Sequence, residues 1–293
     1  MSLLGDGAPP ASVPSTGFLQ CLTTLPFGYT YVKDAELFVF SDPNPDLGLT
    51  RAIETLGWTC TLECGGDEGE ALARLRVAVQ QGPVLIGPLN MGYLTYNPNH
   101  PYLLGADHYV MVLSMDENQV QVHDPKGFPS AALPVEYLLK AWRAEGMDLA
   151  YTDEPFTMRT AFRPEEPSSR GQMIERTMPF IRINLQQELW QPGPFGGVPA
   201  LRMLVQTLQT GVPERLATHL FYWALPLGLR HKVDAQTFLR EGNQSEAADL
   251  IAEQARLLGR AQYAGVQHSW PEVSPLIEQV AMLEERLLAL LRA

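Results

Sequence analysis

Residues 119–123 read Gln-Val-Gln-Val-His, a strict polar–apolar alternation with the two-residue period of a half-buried strand. Just upstream, Tyr109 to Leu113 reads Tyr-Val-Met-Val-Leu, a short apolar run, and Asp116-Glu117-Asn118 between them has turn composition. Together they predict a β-hairpin over 108–124. Pro83-Val84-Leu85-Ile86 predicts a short buried strand. Helical patterning is predicted over 48–57, behind Asp46 and stopped by Gly57, and over 135–144. A better-marked helix is predicted over 68–81: Asp67 caps it, Glu70 completes a capping box and Gly82 ends it.

Beyond about residue 155 the pattern changes to an almost wholly helical one. Residues 159–176 contain Pro164, Pro167 and Ser-Ser-Arg-Gly, and read as a linker. Helices are expected near 173–189, 199–209, 213–224, 234–241, 244–262 and 275–291. The last carries Leu276, Val280, Leu283, Leu287 and Leu290/Leu291 at helical spacing, with Pro275 at its first position. Trp190 to Gly197 is a Pro/Gly-rich loop with aromatics. The organisation expected is an α/β (α+β) domain over 1–158 with a small antiparallel sheet, followed by an all-α domain over 159–293.

Length and composition suit this: 293 residues allow one large or two modest domains, and 45% apolar residues can bury a sizeable core. A net charge of −12 argues against binding nucleic acid or an anionic membrane through the global field. Three cysteines, Cys21, Cys60 and Cys64, are not a disulfide framework and fit a reducing compartment. The first twenty residues lack the basic start and apolar core of a secretory signal, and no apolar run is long enough to span a bilayer. The expectation is a soluble cytoplasmic protein.

A cysteine nucleophile needs a thiolate, a histidine to hold the proton, and an acceptor to orient the histidine. His108 opens one arm of the predicted hairpin and Asp124 closes the other, and nearly equal arms put them at one mouth of the sheet. The same spacing also describes a plain surface His and Asp at a strand end. Cys21 is the candidate nucleophile. At the start of a helix its thiol would be acidified, although Pro26 cuts into any helix beginning there. The commoner fate of a lone cysteine is a buried, inert thiol. Cys60 and Cys64 have no second pair nearby to make a metal site. His123 alternates out of phase with Asp124 and faces the other way.

Gly-Pro-Val-Leu-Ile at 82–86, Ala-Asp-His-Tyr-Val-Met-Val at 106–112 and Val-His-Asp-Pro-Lys-Gly at 122–127 together resemble the papain-like fold of bacteriocin-processing peptidases. More narrowly, the chain resembles the butirosin-biosynthesis protein H family. The tyrosine-rich segment from Asn90 to His100, Phe195-Gly-Gly-Val-Pro-Ala-Leu-Arg, Phe238-Leu-Arg-Glu and Trp270 before a leucine-rich helix carry that likeness. The resemblance implies cysteine-dependent acyl transfer in small-molecule, antibiotic-type biosynthesis. It puts Cys21, His108 and Asp124 in the triad roles and offers Asn90, Tyr93 and Tyr96 as substrate contacts. Its namesake moves an aminoacyl group from a carrier-protein thioester to an aminoglycoside amine. The implied partners are therefore an acyl carrier protein and a small-molecule amine, with no cofactor or metal. A peptidase or amidase on the same triad, or a non-catalytic relative binding a peptide or metabolite, are the alternatives. One departure stands out. The glutamine that such enzymes carry five or six places before the cysteine is replaced by Thr16 and Ser15, leaving Gln20 and the Cys21 backbone N–H as oxyanion donors.

Overall fold

A computed structural model describes residues 13–41, 44–147, 154–186 and 195–292. The chain enters through α1 (Thr16–Leu22), whose cap is the Ser15 hydroxyl accepting from the Phe18 N–H at 3.2 Å. Thr24 turns left-handed at φ 63° behind it, and Pro26 lies in the short 3-10 turn that follows. The aromatic hairpin β1 (Thr30–Val32) and β2 (Leu37–Val39) comes next, then α2 (Pro45–Thr55).

The segment Gly57–Pro167 is a compact unit of its own. Along the chain it contains β3 (Trp58–Glu63), α3 (Glu68–Val79), β4 (Val84–Asn90), β5 (Asp107–Met115), β6 (Gln119–Asp124), β7 (Phe128–Pro134), α4 (Val135–Trp142) and β8 (Met158–Pro164). The strands form a six-stranded antiparallel sheet in the order β3-β8-β4-β5-β6-β7. Ala71 and Leu75 of α3 and Leu138, Ala141 and Trp142 of α4 share one core with Ile86, Val110, Val112, Val120, Val122 and Leu133 of the sheet. Both halves of the expected capping box on α3 are present: Asp67 accepts from the Glu70 N–H and Glu70 accepts from the Asp67 N–H.

Residues from Ser168 onward form the other unit, and the N-terminal residues through Leu56 cluster with them. Its further elements are α5 (Arg170–Gln186), β9 (Phe195–Gly196), α6 (Gly197–Thr210), α7 (Glu214–His219), α8 (Leu225–Glu241), α9 (Ser245–Val266) and α10 (Trp270–Arg292). A π turn over Leu220–Ala224 joins α7 to α8. Strand β9 joins β1 and β2 in a three-stranded antiparallel sheet. Among the described residues, no helix is long and apolar enough to cross a membrane.

The fold is the expected mixed α/β one, with antiparallel sheets and a helical C-terminal region. The division of the chain differs from the expected boundary at 158. Phe18, Cys21, Leu22 and Phe27 are apolar, and they bury themselves among Ile181, Phe238 and Ile251 of the helical unit. Part of the expected linker is also strand. Met158 to Pro164 pairs with both β3 and β4, and its Arg159 is buried. Arginines and a proline disguised it, because the sequence pattern does not show that a polar side chain will be enclosed. The last helix starts at Trp270, with Pro275 inside it, and the expected Trp190–Gly197 loop lies largely outside the described residues.

The capping box yields a local prediction. Asp67→Ala removes an acceptor from the first turn of α3 and should lower the stability of the sheet unit by about 1 kcal/mol. Thermal or urea unfolding followed by circular dichroism reads the change.

Candidate functional site

The buried rows of the central hairpin end in a polar pair. On β5 the inward positions run Val112, Val110, His108, and on β6 they run Val120, Val122, Asp124. The valines join the core, while His108 and Asp124 remain 8% and 1% exposed. The two are diagonal neighbours. A register shift after Val112 pairs Met111 with His123, so Asp124 comes level with Val110 rather than with His108. Across the other edge of β5, His108 lies opposite Leu89.

His108 Nε2 and Asp124 Oδ1 are 2.7 Å apart. Two more donors reach the same carboxylate. The Lys126 N–H donates to Oδ1 at 2.7 Å, and the Tyr96 hydroxyl donates to Oδ2 at 2.9 Å. Burial alone would raise the pKa of Asp124. The His108 hydrogen bond and charge, then the Lys126 N–H and Tyr96, outweigh it and hold the carboxyl below its usual range. Burial, with the adjacent Asp124 charge and hydrogen bond, pushes the Tyr96 phenol well above its ordinary value, so it stays a donor. An ionised carboxylate can only accept, so the proton in the His108–Asp124 bond sits on Nε2. In the neutral imidazole Nδ1 is then the acceptor, able to take a proton or a hydrogen bond.

The backbone around His108 is tight. Gly87 has φ 147°, and a Cβ there would come within 2.4 Å of the Tyr109 ring and 2.7 Å of the His108 carbonyl oxygen. Only glycine lets β4 run this close to the histidine.

Tyr96, expected as a substrate contact, is thus bound to Asp124, with its ring 5.4 Å from that of Phe128. Asn90 is 1% exposed and serves its own loop. Its side-chain oxygen accepts from the Gly92 and Gly105 N–H groups, and its amide donates to the Glu145 carbonyl. Tyr93 packs against the core of the sheet unit.

Cys21 is placed in the helical unit. It is the sixth residue of the seven in α1, at the C-terminal end rather than the start, so the helix dipole opposes a thiolate there. The side chain is 0% exposed, in a core with Phe18, Leu22, Phe27 and Phe238. Burial, chiefly, and then the charges of Asp234 and Glu241 push its thiol well above the ordinary value. The structure therefore brings together His108, Asp124 and Tyr96 within one unit, and seats Cys21 in the core of the other. Gln20 precedes Cys21 in the same helix, so the two side chains leave it roughly 100° apart.

The Lys126 N–H and Gly87 are the contributors that sequence reasoning missed. The Asp124-Pro125-Lys126 turn signal was visible, but a backbone donor has no side-chain signature.

Residues 191–292 match the family model described as the YobF C-terminal domain. Over 287 residues, covering 97% of this chain and 90% of the relative, the chain is 27% identical to a Bacillus subtilis (strain 168) protein described as "Uncharacterized protein YobF".

Two outcomes are expected at the His108–Asp124–Tyr96 cluster. Tyr96→Phe should cost about 1.5–3 kcal/mol, the range for a hydrogen bond to a charged group. It should also let the Asp124 carboxyl titrate at higher pH, read by carboxyl NMR. Because the folded Asp124 pKa lies below its unfolded value, its stabilisation is complete above about pH 4 and lost as pH falls through the folded value. In Asp124→Asn that part of the acid sensitivity should vanish from urea unfolding measured across this range.

Proposed function

We propose that this chain is a binding relative of the cysteine acyl-transfer fold. In this reading the His108–Asp124–Tyr96 cluster holds a small metabolite or peptide, and Cys21 is a structural thiol. The observation that carries the reading is the setting of Cys21. It is enclosed by apolar side chains at a helix C-terminus, with two carboxylates raising its pKa further. Every one of these influences favours the neutral thiol, whereas a nucleophile needs at least one that favours the thiolate. His108, by contrast, is anchored by an ionised carboxylate and presents Nδ1 as an acceptor. That chemistry suits a ligand with an N–H or O–H group, such as an amine, an amide or a sugar hydroxyl. Three free thiols fit a reducing compartment, and we place the protein in the cytoplasm.

A second reading is favoured by the same His–Asp pair. A buried 2.7 Å bond that keeps the proton on Nε2 is what a general base in acyl transfer requires. On that reading Cys21 accepts an acyl group from a carrier-protein thioester and passes it to an amine, or to water in a hydrolase.

Iodoacetamide labelling between pH 6 and pH 9, read by mass spectrometry, decides between them. Exposed Cys64 and half-buried Cys60 serve as internal references. The binding reading expects Cys21 to label more slowly than Cys64 at every pH, with no change in His108→Ala. Rapid labelling of Cys21 at pH 6, abolished by His108→Ala, would establish the acyl-transfer reading instead. The structural role adds a further expectation: Cys21→Ser puts a hydroxyl into an apolar core and should destabilise the helical unit by about 1–3 kcal/mol.

A further inference from the structure

Helices α9 and α10 leave between them an open groove of about 670 Å³, entirely within the helical unit. Its floor is apolar and partly bare. Ala264 and Leu276 are buried there, and Gly259 contributes no side chain. On one rim stand Arg256, Arg260 and Tyr263, at helical spacing along α9, with Tyr263 71% exposed. The opposite rim presents Pro271, Pro275 and Gln279 along α10, with Glu272 its one acidic residue. Arg256 is shared with Glu253 one turn earlier on α9, an exposed pair of the kind that exchanges readily with another carboxylate.

On a chain of net charge −12, two arginines stand beside this apolar trough. The apolar floor asks for apolar anchors, and the rim asks for carboxylates about 6 Å apart, the rise of four helical residues. A helix laid along the groove supplies both: apolar residues at i, i+3 and i+7 face the floor, and glutamates or aspartates at i+4 and i+8, on the flank beside them, meet Arg256 and Arg260. Two parallel-sided helices with a furrow between them are also the surface onto which a third helix packs by ridges into grooves.

We infer that the α9–α10 groove is a docking site for an acidic amphipathic helix of a partner protein. The inference does not depend on the role of His108 or Cys21.

The probe is a synthetic amphipathic helix with leucines on one face and glutamates at i+4 and i+8 beside them, titrated into the full chain. Amide NMR shifts and Trp270 fluorescence, next in sequence to the groove residue Pro271, report binding. The expected result is saturable binding, with shifts centred on residues 256–279 and affinity falling as salt rises. The Arg256→Glu/Arg260→Glu double variant should weaken it at least tenfold, and a peptide with lysines in place of the glutamates should not bind. Gly259→Leu provides a variant that folds on its own terms. A Cβ at 259 meets nothing nearer than a Leu229 methyl at 3.9 Å, and leucine favours helix over glycine, so the fold should hold while the trough is filled. That variant should lose the peptide without losing thermal stability. The proposal is overturned if the peptide fails to saturate, or if charge reversal or Gly259→Leu leaves its affinity unchanged. It is also overturned if inorganic phosphate or citrate alone reproduces the same shifts, which would make the groove a small-anion site.

Discussion

A carboxylate removed from water must find donors to replace it, and in the sheet unit that constraint falls on Asp124. Three donors meet it from three parts of the chain: His108 on the neighbouring strand, the Lys126 N–H from the turn that follows, and Tyr96 from the loop after β4. Each requires its segment to be in place. The histidine needs the β5–β6 register, including its shift after Val112, and the tyrosine needs the 91–106 loop held by Asn90. The Lys126 donor needs a tight turn into β7. One buried charge thus ties the register of a hairpin, the path of a loop and the geometry of a turn to each other. Losing any donor leaves a buried charge underpaired, which costs more than the bond itself is worth.

The cysteine expectation and the histidine expectation met different outcomes for related reasons. Both residues are enclosed, but enclosure acts on them in opposite ways. His108 and Asp124 arrive at the end of two inward rows and satisfy each other, so burial sharpens their pairing. Cys21 arrives among phenylalanines and leucines with carboxylates as its charged neighbours, so burial silences it. A thiol is small and apolar enough to be core, and nothing about the residue distinguishes that use from a chemical one until its neighbours are known.

The helical unit carries its own buried polar network. Lys232, fully buried, stands 4.3 Å over the Tyr29 ring and donates to the Pro26 carbonyl at 3.4 Å. Tyr29 donates to Gln254, which donates to the buried Glu284. Desolvation lowers the pKa of the lysine and raises that of the glutamate, each offset by the other's charge. These residues come from the β1 strand segment and from α8, α9 and α10. The network therefore ties the N-terminal segment to helices more than two hundred residues later, alongside the aromatic packing of Tyr29, Phe38 and Phe40.

Local pattern in the sequence determined the elements whose information is local. The alternation at 119–123, the turn at 116–118 and the Asp67–Glu70 capping box are each written within a few residues, and each is present in the structure. The hairpin also put His108 and Asp124 near one end of a sheet, because nearly equal arms around a turn bring their far ends together, while the register shift made the two diagonal rather than opposite neighbours. Tertiary structure alone decided the rest. It assigned residues 13–41 and α2 to the helical unit, turned Met158–Pro164 into a strand between β3 and β4, and gave Tyr96 to Asp124. It also buried Cys21. These outcomes depend on which distant surfaces find one another, and on whether a polar or sulfur atom meets a donor, a carboxylate or a phenyl ring when they do. A side chain's chemistry is set by those neighbours, and the sequence names them only after the chain has folded.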